Sequence, residues 1–123
     1  MQEPPFKGKT GLKRLLSACV YSADGLKAAF RHEDAFRQEI LLATSLVPLA
    51  LYLEPSAVGR VLMISSVLLV LIVELLNSAL EAALDRISLE YHPLIKRAKD
   101  MGSAAVLIAL LNVAVIWLLV LLE

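Results

Sequence analysis

The stretch "LIVELLNSALEAALDR", residues 71–86, decides how this chain is to be read. It continues the run "VLMISSVLLV" (61–70), so two glutamates, an asparagine and an aspartate enter an otherwise aliphatic segment. At the helical repeat Glu74, Asn77, Glu81 and Asp85 fall on one narrow face, spread over about 16 Å of axis. A carboxylate inside a bilayer is costly and turns toward a protein interior or a water-filled cavity. The first question is therefore whether the run lies in a membrane.

Composition says that it does. Of the 123 residues 59% are hydrophobic, and the mean hydropathy is +0.73, far above a soluble domain of this size. Residues 61–80 hold one ionisable side chain and residues 103–122 hold none, each enough helix to cross a hydrocarbon core of about 30 Å. The run "ILLATSLVPLALYL" (40–53) is shorter. It spans once "AFRQE" (35–39) is added, with Arg37 and Glu39 at the interface and Pro48 tolerated within the helix. We read spans at about 34–53, 57–89 and 98–122, the second projecting beyond the membrane. In "EPSAVGR" (54–60) Pro55 turns the chain and Ser56 caps the second helix. Pro93 breaks the helical pattern ahead of the third span.

Ahead of these, Leu12, Leu15, Leu16, Cys19, Ala23, Leu26 and Phe30 recur at helical spacing, with Lys9, Lys13, Arg14, Lys27 and Arg31 mostly on other faces. This predicts an amphipathic surface helix over about 8–32, with a break at Gly25. A helix packed on a soluble partner has the same pattern. The fold class is thus an all-α integral membrane protein with three transmembrane helices and an N-terminal surface helix. Lysine and arginine are dense before residue 38, sparse at 54–60, dense at 86–99 and absent from the C-terminus. That places the N-terminus and the second loop in the cytoplasm.

Other features exclude more than they assert. The 12 acidic and 12 basic residues balance, so no global charge draws nucleic acid, and one cysteine precludes an internal disulfide framework. "MQEPPFKGKTG" has no hydrophobic region ahead of a cleavage site, so no cleaved signal is expected. "GKT" (8–10) matches the end of a Walker A loop, yet Glu3 stands five positions before Gly8 and no strand precedes it. His32 and His92 lack metal-ligand spacing, and Asn112 reads as helix-packing glue.

The acidic row admits several chemistries. A deep carboxylate facing a lipid-borne group can act as a general base. Carboxylates nearer the cytoplasm suit a hard cation such as Mg²⁺, and lysines of the next loop can neutralise phosphate. Proton or ion translocation uses similar side chains, and a neutral Glu74 bonding adjacent helices would be purely structural. The helix face alone leaves these open.

The segments "AFRQE" (35–39), "VELLNSALEAALDRI" (73–87) and "RAKDMGSAAVLIA" (97–109) resemble the signature segments of the bacterial integral-membrane diacylglycerol kinase family, in order and spacing, from about Arg14 to Trp117. The resemblance implies a homotrimeric helix bundle in the inner (cytoplasmic) membrane, its C-terminus periplasmic. It implies phosphorylation of the primary hydroxyl of diacylglycerol by MgATP, giving phosphatidic acid and ADP. By matching position, Glu74 is the general base, and Glu33 and Glu81 hold the metal and approach ATP. Arg14, Tyr21, Glu90, Tyr91, His92, Lys99 and Asp100 match ATP-contacting positions, with Asn77 supporting them. Ala35, Phe36, Arg37, Gln38, Glu39, Arg60 and Ser103 match positions close to the lipid. "SADG" (22–25) departs from the tryptophan and lysine usual before Gly25, and "HPL" (92–94) also occurs in the branch that uses undecaprenol. An undecaprenol kinase, a non-catalytic membrane assembly protein and an ion carrier are the competing readings.

Overall fold

Four helices account for the architecture of the computed structural model, which describes residues 10–87 and 92–123: α1 (Gly11–His32), α2 (Asp34–Leu53), α3 (Ala57–Ile87) and α4 (Pro93–Leu122). Glu90 and Tyr91, assigned above to the nucleotide, lie outside the described residues. The last three helices are each long and apolar enough to cross a membrane. The chain divides into two units, residues 1–33 and residues 34–123.

In the first unit α1 opens at Gly11, whose positive φ of 61° suits a residue with no Cβ, and ends where the Glu33 backbone N–H reaches the Ala29 carbonyl at 2.9 Å. Leu12, Leu15, Leu16, Leu26 and Phe30 are all exposed, as the amphipathic reading requires of a face meant for a membrane surface. The break expected at Gly25 is absent. One glycine inside a helix costs only about 1 kcal/mol, and the flanking residues sustain the turn.

In the second unit α3 is the central helix, packing along both α2 and α4. The core joins Ala43 and Ala50 of α2, Met63 and Val67 of α3, and Trp117 of α4. The alanines are two turns apart on one face, so the α2 backbone approaches α3 closely there. Trp117 donates from Nε1 to the Met63 carbonyl at 3.2 Å, and Ser66 Oγ donates to the same oxygen at 2.7 Å. One carbonyl thus satisfies two buried donors at a depth where water offers none.

Helix ends follow from local chemistry. Ser56 Oγ accepts from the Gly59 N–H at 3.3 Å, which makes it the cap of α3 that the sequence announces. The Glu54 side chain folds over the same turn and accepts from the Ser56 N–H at 3.0 Å. Arg60 then ties back to α2, its Nε donating to the Glu54 carbonyl at 2.5 Å and its guanidinium to the Leu51 carbonyl at 2.9 Å. Pro48 leaves α2 continuous. Pro93 breaks the pattern ahead of the third span as expected and is also the first residue of α4, so the helix begins ahead of position 98. A proline at the first helical position loses no hydrogen bond, and its fixed φ is already helical. His92 caps this helix, Nδ1 accepting from the Leu94 N–H at 3.1 Å.

Trp117→Ala is expected to lower the stability of the purified protein by about 3–5 kcal/mol, through the cavity left beside Met63 and Val67. Trp117→Phe should cost about 1 kcal/mol, the share of the indole hydrogen bond. Reversible unfolding in mixed micelles distinguishes the two; equal losses would mean that the indole N–H, not ring volume, holds α4 to α3.

Candidate functional site

The acidic row of α3 is graded by burial. Glu74 is 5% exposed, Asn77 and Glu81 are half-buried, and Asp85 is open to solvent. The order is the one expected of a helix leaving the bilayer, with the carboxylate that costs most to desolvate sealed against protein.

Two neighbouring helices complete the surroundings. From α2, Glu39 sits near enough to Glu74 for the two carboxyl charges to repel, and its Oε2 is buried without a hydrogen-bond partner. From α4, Gly102 faces Asn77: a Cβ built at Gly102 would overlap Asn77 Oδ1 and lie 3.3 Å from Leu80 Cδ2. Asn77 Nδ2 reaches Glu81 Oε1 at a long 3.5 Å, while Asn77 Oδ1 is buried with no partner. The amide is therefore held by packing against Gly102 more than by hydrogen bonds. At the exposed end Lys99 Nζ meets Asp85 Oδ1 at 2.7 Å, joining α3 to α4, and Lys96 Nζ meets Asp100 Oδ2 at 2.6 Å within α4. Exposed pairs of this kind add little net stability, so they can exchange partners readily.

Among the residues singled out from the sequence, the second unit thus gathers Glu39, Glu74, Asn77, Glu81 and Lys99 along one α2–α3–α4 contact. Asp100 and Ser103 are exposed on α4 nearby in sequence. Phe36 is 2% exposed and packs within the unit rather than lining an open surface. Arg37 pairs with Asp34 one turn earlier, while Ala35 and Gln38 are exposed. Arg60 is not part of the gathering: it lies 14 residues from Glu74 on the same helix, about 21 Å along the axis, and is engaged with the α2 carbonyls. His92 is engaged in its cap. Arg14, Tyr21 and Glu33 belong to the first unit, where Glu33 is half-buried at the end of α1.

Sequence reasoning missed Gly102 and Asp85–Lys99. The signal for the glycine was present, since it is the single glycine of α4 and begins the small-residue stretch "GSAA" (102–105). The ion pair joins residues 14 apart across a turn and leaves no periodic trace.

Among the described residues no group of three or more histidine, cysteine, aspartate or glutamate side chains gathers as a metal cage. Magnesium does not ask for one, because it is held by one or two carboxylates together with phosphate oxygens and waters. The half-buried Glu81 carboxylate, beside the Asn77 amide, supplies the hard oxygen donors that this cation prefers.

Helices of membrane-spanning length, with a buried carboxylate heading a graded polar row, define a small polytopic membrane protein with a site at the end of its central span. Residues 20–121 match the family model described as prokaryotic diacylglycerol kinase. A protein named diacylglycerol kinase from Pseudomonas aeruginosa is 58% identical over 122 residues, covering 99% of both chains. Its namesake from Escherichia coli K12 is 54% identical over 112 residues, covering 91% of this chain and 92% of its own. One from Helicobacter pylori is 48% identical over 115 residues, covering 94% and 89%. This chain belongs to the prokaryotic diacylglycerol kinase family and is a bacterial membrane protein.

The Asn77–Gly102 contact is testable by itself. Gly102→Ala should destabilise the protein by about 1–3 kcal/mol through overpacking. In an Asn77→Ala background the same change should cost far less. A double-mutant cycle of unfolding free energies that shows no coupling would separate the two residues.

Proposed function

We propose that this chain is an ATP-dependent lipid kinase that phosphorylates the primary hydroxyl of 1,2-diacylglycerol, giving phosphatidic acid and ADP. The observation that carries the reading is the depth of Glu74: a carboxylate buried at the lipid end of a polar row that opens to water at Asp85. The names of the relatives point to the same acceptor.

Glu74 is the general base. Its carboxylate lies at the lipid end of the row, where a lipid-borne hydroxyl would arrive, which is the placement that removal of a hydroxyl proton in the transition state demands. The alcohol oxygen attacks the γ-phosphorus of ATP, the bond to the β–γ bridging oxygen breaks, and ADP leaves from the water-facing end. Glu81 would hold Mg²⁺, as would Glu33 by the resemblance, and the metal would supply neutralisation of phosphate charge. Asn77 holds the Glu81 side of the row. Lys99, released from Asp85, can turn to phosphate. Among the other resemblance-derived contacts, Arg14, Tyr21, Glu90, Tyr91, His92 and Asp100 belong to the nucleotide. Ala35 to Glu39, Arg60 and Ser103 belong to the lipid.

The working unit in this proposal is a homotrimer in the inner membrane, with the N-terminus cytoplasmic and the C-terminus periplasmic. A chain with three spans has little room to enclose a nucleotide and a lipid, and Ala79, Ala82, Ala83, Ser103, Ala104 and Ala105 are exposed small residues that permit close helix approach.

Transfer of labelled phosphate from ATP in mixed micelles, with diacylglycerol and undecaprenol offered separately, tests the acceptor. Labelling of undecaprenol alone, or of neither lipid, overturns the reading. Glu74→Gln should reduce turnover by at least about a hundredfold, the lower end of what a positioned base contributes, with MgATP binding retained. Near-normal turnover in that variant would remove Glu74 as the base. Glu81→Gln and Glu33→Gln should raise the magnesium concentration needed for half-maximal activity, and an unchanged requirement in both would leave them as structural charges.

A further inference from the structure

Helix α4 meets the polar row of α3 at two levels. Gly102 faces Asn77, and three residues earlier Lys99 Nζ donates to Asp85 Oδ1 at 2.7 Å. Glu81 stands on α3 between these levels, and its charge also acts on the Lys99 ammonium. Lys99 is therefore within reach of two carboxylates of the row and is bonded to the outer one. Both members of the pair are open to water.

The axial spacing gives this choice of partner a consequence. Glu81 lies seven residues from Glu74, about 10 Å along α3, and Asp85 lies one further turn out, about 6 Å. With Glu74 as base and the metal at Glu81, the transferred phosphate lies at or inside the level of Glu81. A cation that serves the phosphate chain has to stand at that level. The bond to Asp85 holds the Lys99 ammonium about one turn too far toward water. A lysine carries its charge on a flexible four-carbon stem, so the ammonium can cover one turn without any movement of α4. The step requires only that an exposed pair of small net strength be broken. Two anions thus compete for one cation: a carboxylate already in place, and a phosphate chain that has to displace it.

We propose that Asp85 is a positioning residue that sets nucleotide affinity by competing for Lys99. It holds the ammonium at the mouth of the row until the phosphates of MgATP draw it inward to the level of Glu81. This rests on the kinase reading given above and adds to it a residue that touches no substrate and acts through Lys99.

The test measures equilibrium binding of labelled MgATP to the full chain in lipid vesicles, with no lipid acceptor present, and steady-state kinetics alongside. Asp85→Asn should bind MgATP about two- to fivefold more tightly, the range that one exposed ion pair spans. The gain should appear in KM for ATP and not in kcat, and should shrink as salt is raised. Asp85→Glu, which keeps the carboxylate, should behave as the native chain. Lys99→Met should bind more weakly, and Asp85→Asn added to it should bring no gain. Unchanged or weaker binding in Asp85→Asn overturns the proposal, because Asp85 then holds Lys99 where the phosphate needs it or plays no part. An equal gain in the Lys99→Met background also overturns it, because the aspartate then repels phosphate directly. A native chain that binds MgATP but phosphorylates no diacylglycerol fails the lipid-kinase reading while the binding comparison still decides the role of Asp85. A native chain that binds no MgATP overturns both.

Discussion

A carboxyl group inside a hydrocarbon-length helix is the constraint on which the rest of this structure depends. Glu74 cannot face lipid without either a proton or a polar partner, so α3 has to be flanked on that side. The flanking helices do so in different ways. Helix α2 contributes the Glu39 carboxyl, a second acid beside the first, and α4 contributes a glycine, whose missing side chain lets its backbone close over Asn77. Neither partner neutralises the row. The packing of these two helices holds the row in place.

The same constraint explains why stability is concentrated at the other end of the bundle. Beyond the polar row, α3 is fixed to α4 by Trp117 and the Met63 carbonyl, and to α2 by alanine contacts and the Glu54–Ser56–Arg60 turn. These interactions are short-range, buried and geometrically demanding. At the end where the polar row opens to water, α3 and α4 are joined by Lys99–Asp85, an exposed pair of little net strength. A site that must admit a charged ligand gains from weak pairing at its mouth and firm packing at its base.

What could be read in the sequence follows from which features are periodic or local. The three long helices rest on composition and length, and the acidic face on spacing along one helix, so both appear before any tertiary information. Ser56 as a cap was legible because capping is a matter of a few adjacent residues. Pro93 was legible as a break ahead of the third span for the same local reason, while its second role, as the first residue of α4, depends on where the helix begins. Gly25 was overweighted as a break where neighbouring residues carry the helix through. The closeness of Glu39 to Glu74, the fit of Gly102 to Asn77 and the reach of Lys99 to Asp85 depend on how helices are set against each other, which no single-helix pattern encodes. Arg60, about 21 Å along α3 from the buried glutamate, has its guanidinium on the α2 carbonyls, a contact between helices that spacing along one helix does not announce.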